Sequence, residues 1–403
     1  MLINAGVIRA DRGRATMSNW ISAEEAQARL GVKLQTLYAY TSRGLIANRT
    51  DGSDPRRSLY AADDISRLSL RKARGRRASV AQEALSFRGE PVLSSALTQI
   101  TGERLFYRGQ DAVTLAETAT LEETARLLWG CDEDPFVTLK PHPNPVSAPE
   151  GRARAFAILA YRAAIDAAMS GRAERALKRE AASVLTDLVD VVCGISRSGP
   201  LHDRLARAWR VEGVKSDAIR RALVLVADHE LNASTFAARV AASTGATLAA
   251  SALAGLSALS GPLHGGMTAQ VAGFIAEVRR VGDPAAAAMQ RLAQGLSVPG
   301  FGHPLYPAGD PRAKALQTAH HYAPDLYAIA QAGESVTGSP PNLDFALVAM
   351  CRTLGLPADA PFTLFTVGRT VGWLAHALEQ NATGEGLIRP RARYVGPPAA
   401  SDA

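Results

Sequence analysis

Apolar residues recur at three- and four-residue spacing along most of the chain, with charged residues filling the gaps. The clearest stretches are Gly151 to Ala173 and Lys178 to Val192, where Ala, Leu, Ile and Val share one face of a helical period. Such segments predict many amphipathic helices of medium length. Helix breakers stand between them, at Gly194, Pro200, Gly213, Pro262, Pro299, Pro340, Pro341, Pro357 and Pro361. Alternating runs rich in Val or Ile are nearly absent, so no parallel sheet is expected. No segment repeats with a period of about 20 to 50 residues, which argues against a solenoid.

The N-terminal stretch reads differently. Ser22 followed by Glu25 is a capping-box pattern, Ala26 and Leu30 give one apolar face, and Gly31-Val32 breaks the helix before Thr36-Leu37-Tyr38-Ala39-Tyr40. Two short helices at a tight turn are the helix-turn-helix arrangement, whose second helix can enter a major groove with Lys33, Gln35 and Thr36 leading. Arg43-Gly44-Leu45-Ile46 ends that helix. The span Arg49 to Tyr60, with Asp51-Gly52 and Arg56-Arg57, predicts a wing-like hairpin, and Asp63-Asp64 to Leu68 a third helix.

Charge sharpens the division. Of 45 Lys and Arg and 38 Asp and Glu, 15 and 7 lie in residues 1 to 80, a net of +8, and the remaining 30 and 31 give −1. A small basic module is thus joined to a near-neutral body. The run Arg71-Lys72-Ala73-Arg74-Gly75-Arg76-Arg77 marks the expected boundary, as a linker or a phosphate-contacting tail.

With 403 residues and 47% hydrophobic composition, the chain can build one large or two medium cores. Cys131, Cys193 and Cys351 lie far apart, with no Cys-x-x-Cys pair and no clustered histidine spacing. Neither a disulfide framework nor a metal site is suggested, and a cytoplasmic location is expected. Met1 to Ile8 is too short and weakly apolar for an export signal, and Met17 is an alternative start. Apolar runs such as Ala246 to Leu259 stop short of a membrane span, so no membrane partner is expected.

Three histidine motifs and one acidic motif carry the candidate chemistry. They are Asp228-His229-Glu230-Leu231-Asn232-Ala233-Ser234, Gly261-Pro262-Leu263-His264-Gly265-Gly266, Gly300-Phe301-Gly302-His303-Pro304 and Pro341-Asn342-Leu343-Asp344-Phe345. A lone histidine is commonly structural, but glycines around two of these imidazoles leave room for a ligand or another backbone.

In this order the four motifs resemble the citrate synthase family, over about Phe87 to Pro397. Further matches are Gly102-Glu103-Arg104-Leu105-Phe106-Tyr107-Arg108-Gly109, Asp310-Pro311-Arg312-Ala313, Gly368-Arg369-Thr370-Val371-Gly372-Trp373 and Ile388-Arg389-Pro390-Arg391. The N-terminal pattern Gly31-Val32, Thr36-Leu37, Tyr40, Gly44-Leu45, Arg57, Tyr60 and Asp64 looks like a MerR-type DNA-binding module. The resemblances imply a winged helix-turn-helix module over 18–77 and a mostly helical two-domain body over 87–397, with about 265–365 as the smaller closing domain. They also imply a homodimer, and a body that condenses acetyl-CoA with oxaloacetate.

By resemblance, Asp344 removes the thioester methyl proton, His264 stabilises the enolate, and His303 polarises and protonates the ketone. Arg312, Arg369 and Arg389 clamp the two carboxylates, Arg389 from the neighbouring subunit, and His229 adds a donor. No permanently bound cofactor is implied; the coenzyme A thioester is a substrate. Duplex DNA is the implied partner of residues 18–77, through Lys33, Gln35, Thr36 and Arg57. The chain departs from the family pattern at Met267-Thr268-Ala269 and at Pro304-Leu305-Tyr306, where a CoA-facing arginine is common. A proline at that place also occurs in enzymes similar to 2-methylcitrate synthase, so propionyl-CoA is an alternative substrate. A regulator whose body only senses metabolites is the alternative from another class.

Overall fold

A computed structural model of the chain describes residues 20–32, 34–42, 46–52, 54, 57–66, 93–137, 139, 148, 151–194, 198–384, 386–390, 392 and 394–396. The chain divides into two compact units, Met1–Ser94 and Ser95–Ala403. The expected linker at 71–77 and the candidate residue Lys33 lie outside the described residues.

In the first unit, strand β1 (Trp20–Ile21) leads into α1 (Ala23–Leu30) and α2 (Leu34–Ser42), followed by β2 (Asn48–Thr50) and β3 (Ser58–Ala61). The Ser22 hydroxyl caps α1 by accepting the Glu25 amide, and Gly31, at φ 60°, ends the helix in the left-handed region. Strands β2 and β3 pair antiparallel, β1 joins the other edge of β3, and residues 62–66 are helical. Ile21, Ala26, Leu30, Leu37, Ile46, Tyr60, Ala62 and Ile65 form a small core of their own. Gln35 is exposed and Thr36 half-buried, while exposed Arg57 pairs with Asp54 at 3.4 Å.

The body opens with an antiparallel meander, β4 (Thr98–Thr101), β5 (Arg104–Tyr107) and β6 (Gln110–Asp111). Its two-residue turns, Gly102-Glu103 and Arg108-Gly109, have positive φ at both positions, which matches the right-handed strand twist. Helices follow: α3 (Ala112–Thr118), α4 (Leu121–Trp129), α5 (Arg152–Ile165), α6 (Glu174–Cys193), α7 (Leu201–Ala208), α8 (Val214–Leu225) and α9 (Ala233–Ser243). The second half holds α10 (Leu248–Leu259), α11 (Met267–Val281), α12 (Pro284–Ala293), α13 (Pro311–Ala319), α14 (Pro324–Thr337), α15 (Leu343–Leu354) and α16 (Ala360–Thr383).

Helix α16 is the axis of this unit, buried at every position from Ala360 to Leu378. A helix buried on all sides must satisfy its polar side chains within the protein, so Arg369 and His376 on α16 require internal partners. It packs on α4, α6, α8, α9, α10 and α15. Gly255 of α10 lets Trp373 approach, since a Cβ there would stand 2.6 Å from the indole ring. Among the described residues no helix is long and apolar enough to cross a membrane, and no His, Cys, Asp and Glu cluster is arranged to hold a metal ion.

Candidate active site

The four motifs converge. His229 lies in the turn between α8 and α9, His264 in the turn before α11, His303 in the loop before α13, and Asp344 in the first turn of α15. Glycines make the sharp turns possible. A Cβ at Gly266 would stand 2.6 Å from the Gly261 carbonyl oxygen, and Gly300, at φ 89°, lies against Val271 and Phe345. The rings of His229 and His303 meet edge-on at 5.3 Å between centroids. Tyr306 lies 4.9 Å from His303, and its hydroxyl is 3.0 Å from His229 Nε2.

Two buried arginines face this cluster, each held in place. Arg312 donates to both carboxylate oxygens of Asp310, at 2.9 and 2.8 Å, and its guanidinium lies over the Tyr306 ring. Arg369 donates to the Val226 carbonyl at 2.8 Å and lies 5.0 Å from the Phe365 ring, which in turn meets His264 edge-on. Asp310 also accepts the Leu343 amide, next to Asp344. Asn342 caps α15 by accepting the Asp344 amide and donates to the Gly302 carbonyl, so the His303 loop and the Asp344 helix are tied together.

This setting fixes protonation. Burial lifts the Asp344 carboxyl to about 7, against the lowering effect of Arg312, and its Oδ1 is buried without a hydrogen-bond partner. Burial, aided by Arg369, lowers His264 to about 4, and burial with Arg312 lowers His303 to about 4. Burial and the two arginines hold His229 well below the ordinary histidine value. All three imidazoles are therefore neutral at neutral pH. The Leu305 amide donates to His303 Nδ1 at 3.2 Å, so His303 carries its proton on Nε2 and presents a donor. Burial lowers Arg369 to about 10, which leaves it charged at pH 7.

Of the residues singled out from the sequence, His229, His264, His303, Arg312, Asp344 and Arg369 come together. Arg389 does not join them within one chain; it is exposed in the segment after α16. Sequence reasoning assigned no role to Tyr306, Ser234, Asp310 or Asn342, although each stands inside a quoted motif. Ser234 places its hydroxyl 2.8 Å from His264 Nε2. The only available signal was the density of polar residues around the histidines.

A base poised near neutrality, facing neutral imidazole donors and two fixed guanidiniums, defines a site that can enolise a carbon acid beside a carboxylate-bearing partner. The comparisons agree with that chemistry: residues 148–391 match the family described as citrate synthase, C-terminal domain, and the chain belongs to the citrate synthase family.

Citrate synthase 2 of Bacillus subtilis is 39% identical over 194 residues, covering 46% of this chain and 52% of that protein. The chain spans about half the length of the curated relatives it matches at that identity. The 2-methylcitrate synthase of Shewanella oneidensis is 28% identical over 355 residues, covering 76% and 92%. Citrate synthase from the thermophilic archaeon Thermoplasma acidophilum, solved as a ternary complex with carboxymethyl coenzyme A and oxaloacetate, superposes with a TM-score of 0.65 at 25% identity. It covers 77% of this chain and 96% of that one.

Proposed function

We propose that the body condenses an acyl-CoA with oxaloacetate, acetyl-CoA giving citrate and propionyl-CoA giving 2-methylcitrate. The observation that carries this reading is the convergence of Asp344, raised to about 7, with neutral His264 and His303 and with fixed Arg312 and Arg369. Asp344 takes a proton from the carbon next to the thioester, and His264 donates a hydrogen bond to the enolate oxygen. The new carbon–carbon bond joins that carbon to the ketone carbon of oxaloacetate, while His303 donates from Nε2 to the ketone oxygen. Water then cleaves the thioester and releases coenzyme A. Arg312, Arg369 and His229 bind the dicarboxylate. In a homodimer the exposed Arg389 completes the neighbouring site, and residues 265–365 close over the substrates.

Thiol release by the full chain tests this, with oxaloacetate and either acetyl-CoA or propionyl-CoA. Release that depends on oxaloacetate supports the reading, and the faster substrate identifies the acyl chain. No release with either acyl-CoA overturns it.

For residues 18–77 the proposed role is binding of duplex DNA as a winged helix-turn-helix. Support comes from the +8 charge of residues 1 to 80, from two helices in contact followed by an antiparallel hairpin, and from exposed Gln35, Arg49 and Arg57. Duplex affinity should fall steeply with salt as neutralised phosphates release counterions. Removing residues 1–77 should abolish binding and leave thiol release intact. Failure of the full chain to bind any duplex at low salt overturns this role.

A further inference from the structure

The buried polar groups of α16 are not exhausted by Arg369. His376 lies two turns further along and is fully buried, as are Asp228 and Arg239. Its Nε2 is 3.3 Å from Asp228 Oδ2 and its Nδ1 is 3.3 Å from an Arg239 guanidinium nitrogen. That same nitrogen donates to Glu379 at 2.5 Å, and Arg239 Nε donates to Gln380 at 3.0 Å. A guanidinium cannot accept a hydrogen bond, so Nδ1 is the acceptor and Nε2 carries the imidazole proton toward Asp228. The tautomer is thus set from one side, and the carboxylate receives a directed donor.

Asp228 immediately precedes His229. The turn they share is gripped on several sides. Thr98 of β4 donates to Asp228 Oδ2 at 2.5 Å, and the Ile100 amide donates to Glu230 at 2.7 Å. The Tyr107 hydroxyl lies 3.0 Å from the Val224 carbonyl and 3.3 Å from the Asp228 carbonyl. Asn232 donates to the His229 carbonyl. The Gly372 amide of α16 donates to the Ala227 carbonyl at 3.0 Å, at a point where a Cβ on Gly372 would stand 2.4 Å from Asp228 Oδ1. Glu230 sits at φ 52°, a conformation a non-glycine residue holds only when its surroundings impose it. Both side-chain donors, Thr98 and His376, reach the same carboxylate oxygen, Oδ2, while Oδ1 is buried without a partner, so holding the charge here depends on those two groups.

We infer that His376 is a positioning residue for His229: together with Arg239 it anchors Asp228 and so sets the imidazole that faces the dicarboxylate. This inference rests on the proposed role of His229 as a substrate ligand. His376 touches no reacting atom and acts through the Asp228 turn alone. A displacement of His229 by a fraction of an ångström reaches the dicarboxylate before it reaches the acyl group, because His264 belongs to a different turn.

The test uses the full chain with His376→Ala, His376→Gln and Thr98→Val, read by steady-state kinetics and by oxaloacetate binding measured calorimetrically without acyl-CoA. His376→Ala should raise both KM and Kd for oxaloacetate by about 10- to 100-fold while KM for the acyl-CoA stays within about twofold. Glutamine can donate to Asp228 through its amide nitrogen and accept from Arg239 through its oxygen, so His376→Gln should recover most of the affinity. Thr98→Val, which removes the other donor to Asp228 Oδ2, should move the same constants in the same direction by less, and it keeps the test alive if His376→Ala does not fold. A structural role alone would lower Tm and the active fraction and leave both oxaloacetate constants unchanged, and that result overturns the inference. Wild-type protein that neither binds oxaloacetate nor releases thiol would instead overturn the proposed function.

Discussion

The two halves of the candidate site differ in how much of each is built before any substrate arrives. On the carboxylate side Arg369 is 1% exposed, Arg312 is locked to Asp310 by two hydrogen bonds, and His229 is buried in a clamped turn. On the acyl side His264 is half-buried, Pro304 is exposed, and Leu263, next to His264, is 93% exposed. Donors fixed in advance need little reorganisation when charge arrives, so the carboxylate side carries recognition already in the free protein. On the proposed reading the open acyl side gains its contacts only when residues 265–365 close over it, which orders binding, with the dicarboxylate first.

Asp344 stands between the halves, and removing it should have the largest effect. Asp344→Ala should lower kcat by roughly 10²–10⁴, the usual contribution of a positioned base, with oxaloacetate affinity largely kept. Wild-type turnover in that variant would sink the assignment. The wild-type rate should rise with pH through about 7, because the base must first lose its proton. Linkage gives a second reading of the same group. Its folded-state pKa lies above the unfolded value, so its contribution to stability is present at low pH and is lost as pH rises through about 7. Asp344→Asn should therefore gain thermal stability over the wild type at pH 8, less at pH 5, and least below the ordinary carboxylate value of 3.8.

Next in size comes the carboxylate side. Arg369→Lys keeps a cation but loses the planar fork and the Nε donor to Val226. The KM for oxaloacetate should rise by roughly 10- to 100-fold, the equivalent of one charge-assisted hydrogen bond, with KM for the acyl-CoA nearly constant. Equal rises in both constants would erase the distinction between the halves.

How much of this was legible in the sequence follows the same division. Glycine flanks marked His264 and His303, because close backbone approach leaves a residue-type signature, whereas His229 and Asp344 stand in motifs without glycine and were legible only through the family resemblance. The helical body was legible from its apolar period. The β4–β6 meander was not: its turns use Gly102-Glu103 and Arg108-Gly109, with non-glycine residues at φ 58° and 44°, in place of the usual Asn-Gly or Asp-Gly pairs. Tyr306 and His376 meet partners distant in sequence, His229 and Asp228. His376 reaches Asp228 across 148 positions, and no local pattern encodes such a contact. Arg389 was legible as a motif, while its place in a site depends on an association that one chain does not contain.

The smallest predicted effect probes the acyl side through Ser234. Its hydroxyl lies 2.8 Å from His264 Nε2 and 2.7 Å from Asn232 Oδ1, and it has one proton to give. Asn232 Oδ1 can only accept, so the hydroxyl gives it that proton, beside the amides of Ser234 and Thr235 at 3.1 Å each. The hydroxyl oxygen is then left to accept from His264 Nε2, which carries the imidazole proton. On the proposed reading a developing enolate draws on that same proton, with Ser234 fixing the tautomer and the orientation of the ring. Ser234→Ala removes the acceptor and lets the ring sample both tautomers, at a cost of about one neutral hydrogen bond, so kcat should fall by roughly 2- to 10-fold. The KM for oxaloacetate should not move, since Asn232 still caps α9 and still holds the His229 carbonyl. A rise in kcat would show that Ser234 competes with the enolate for the Nε2 proton of His264, and the hydroxyl would then not be an orienting partner for the reaction.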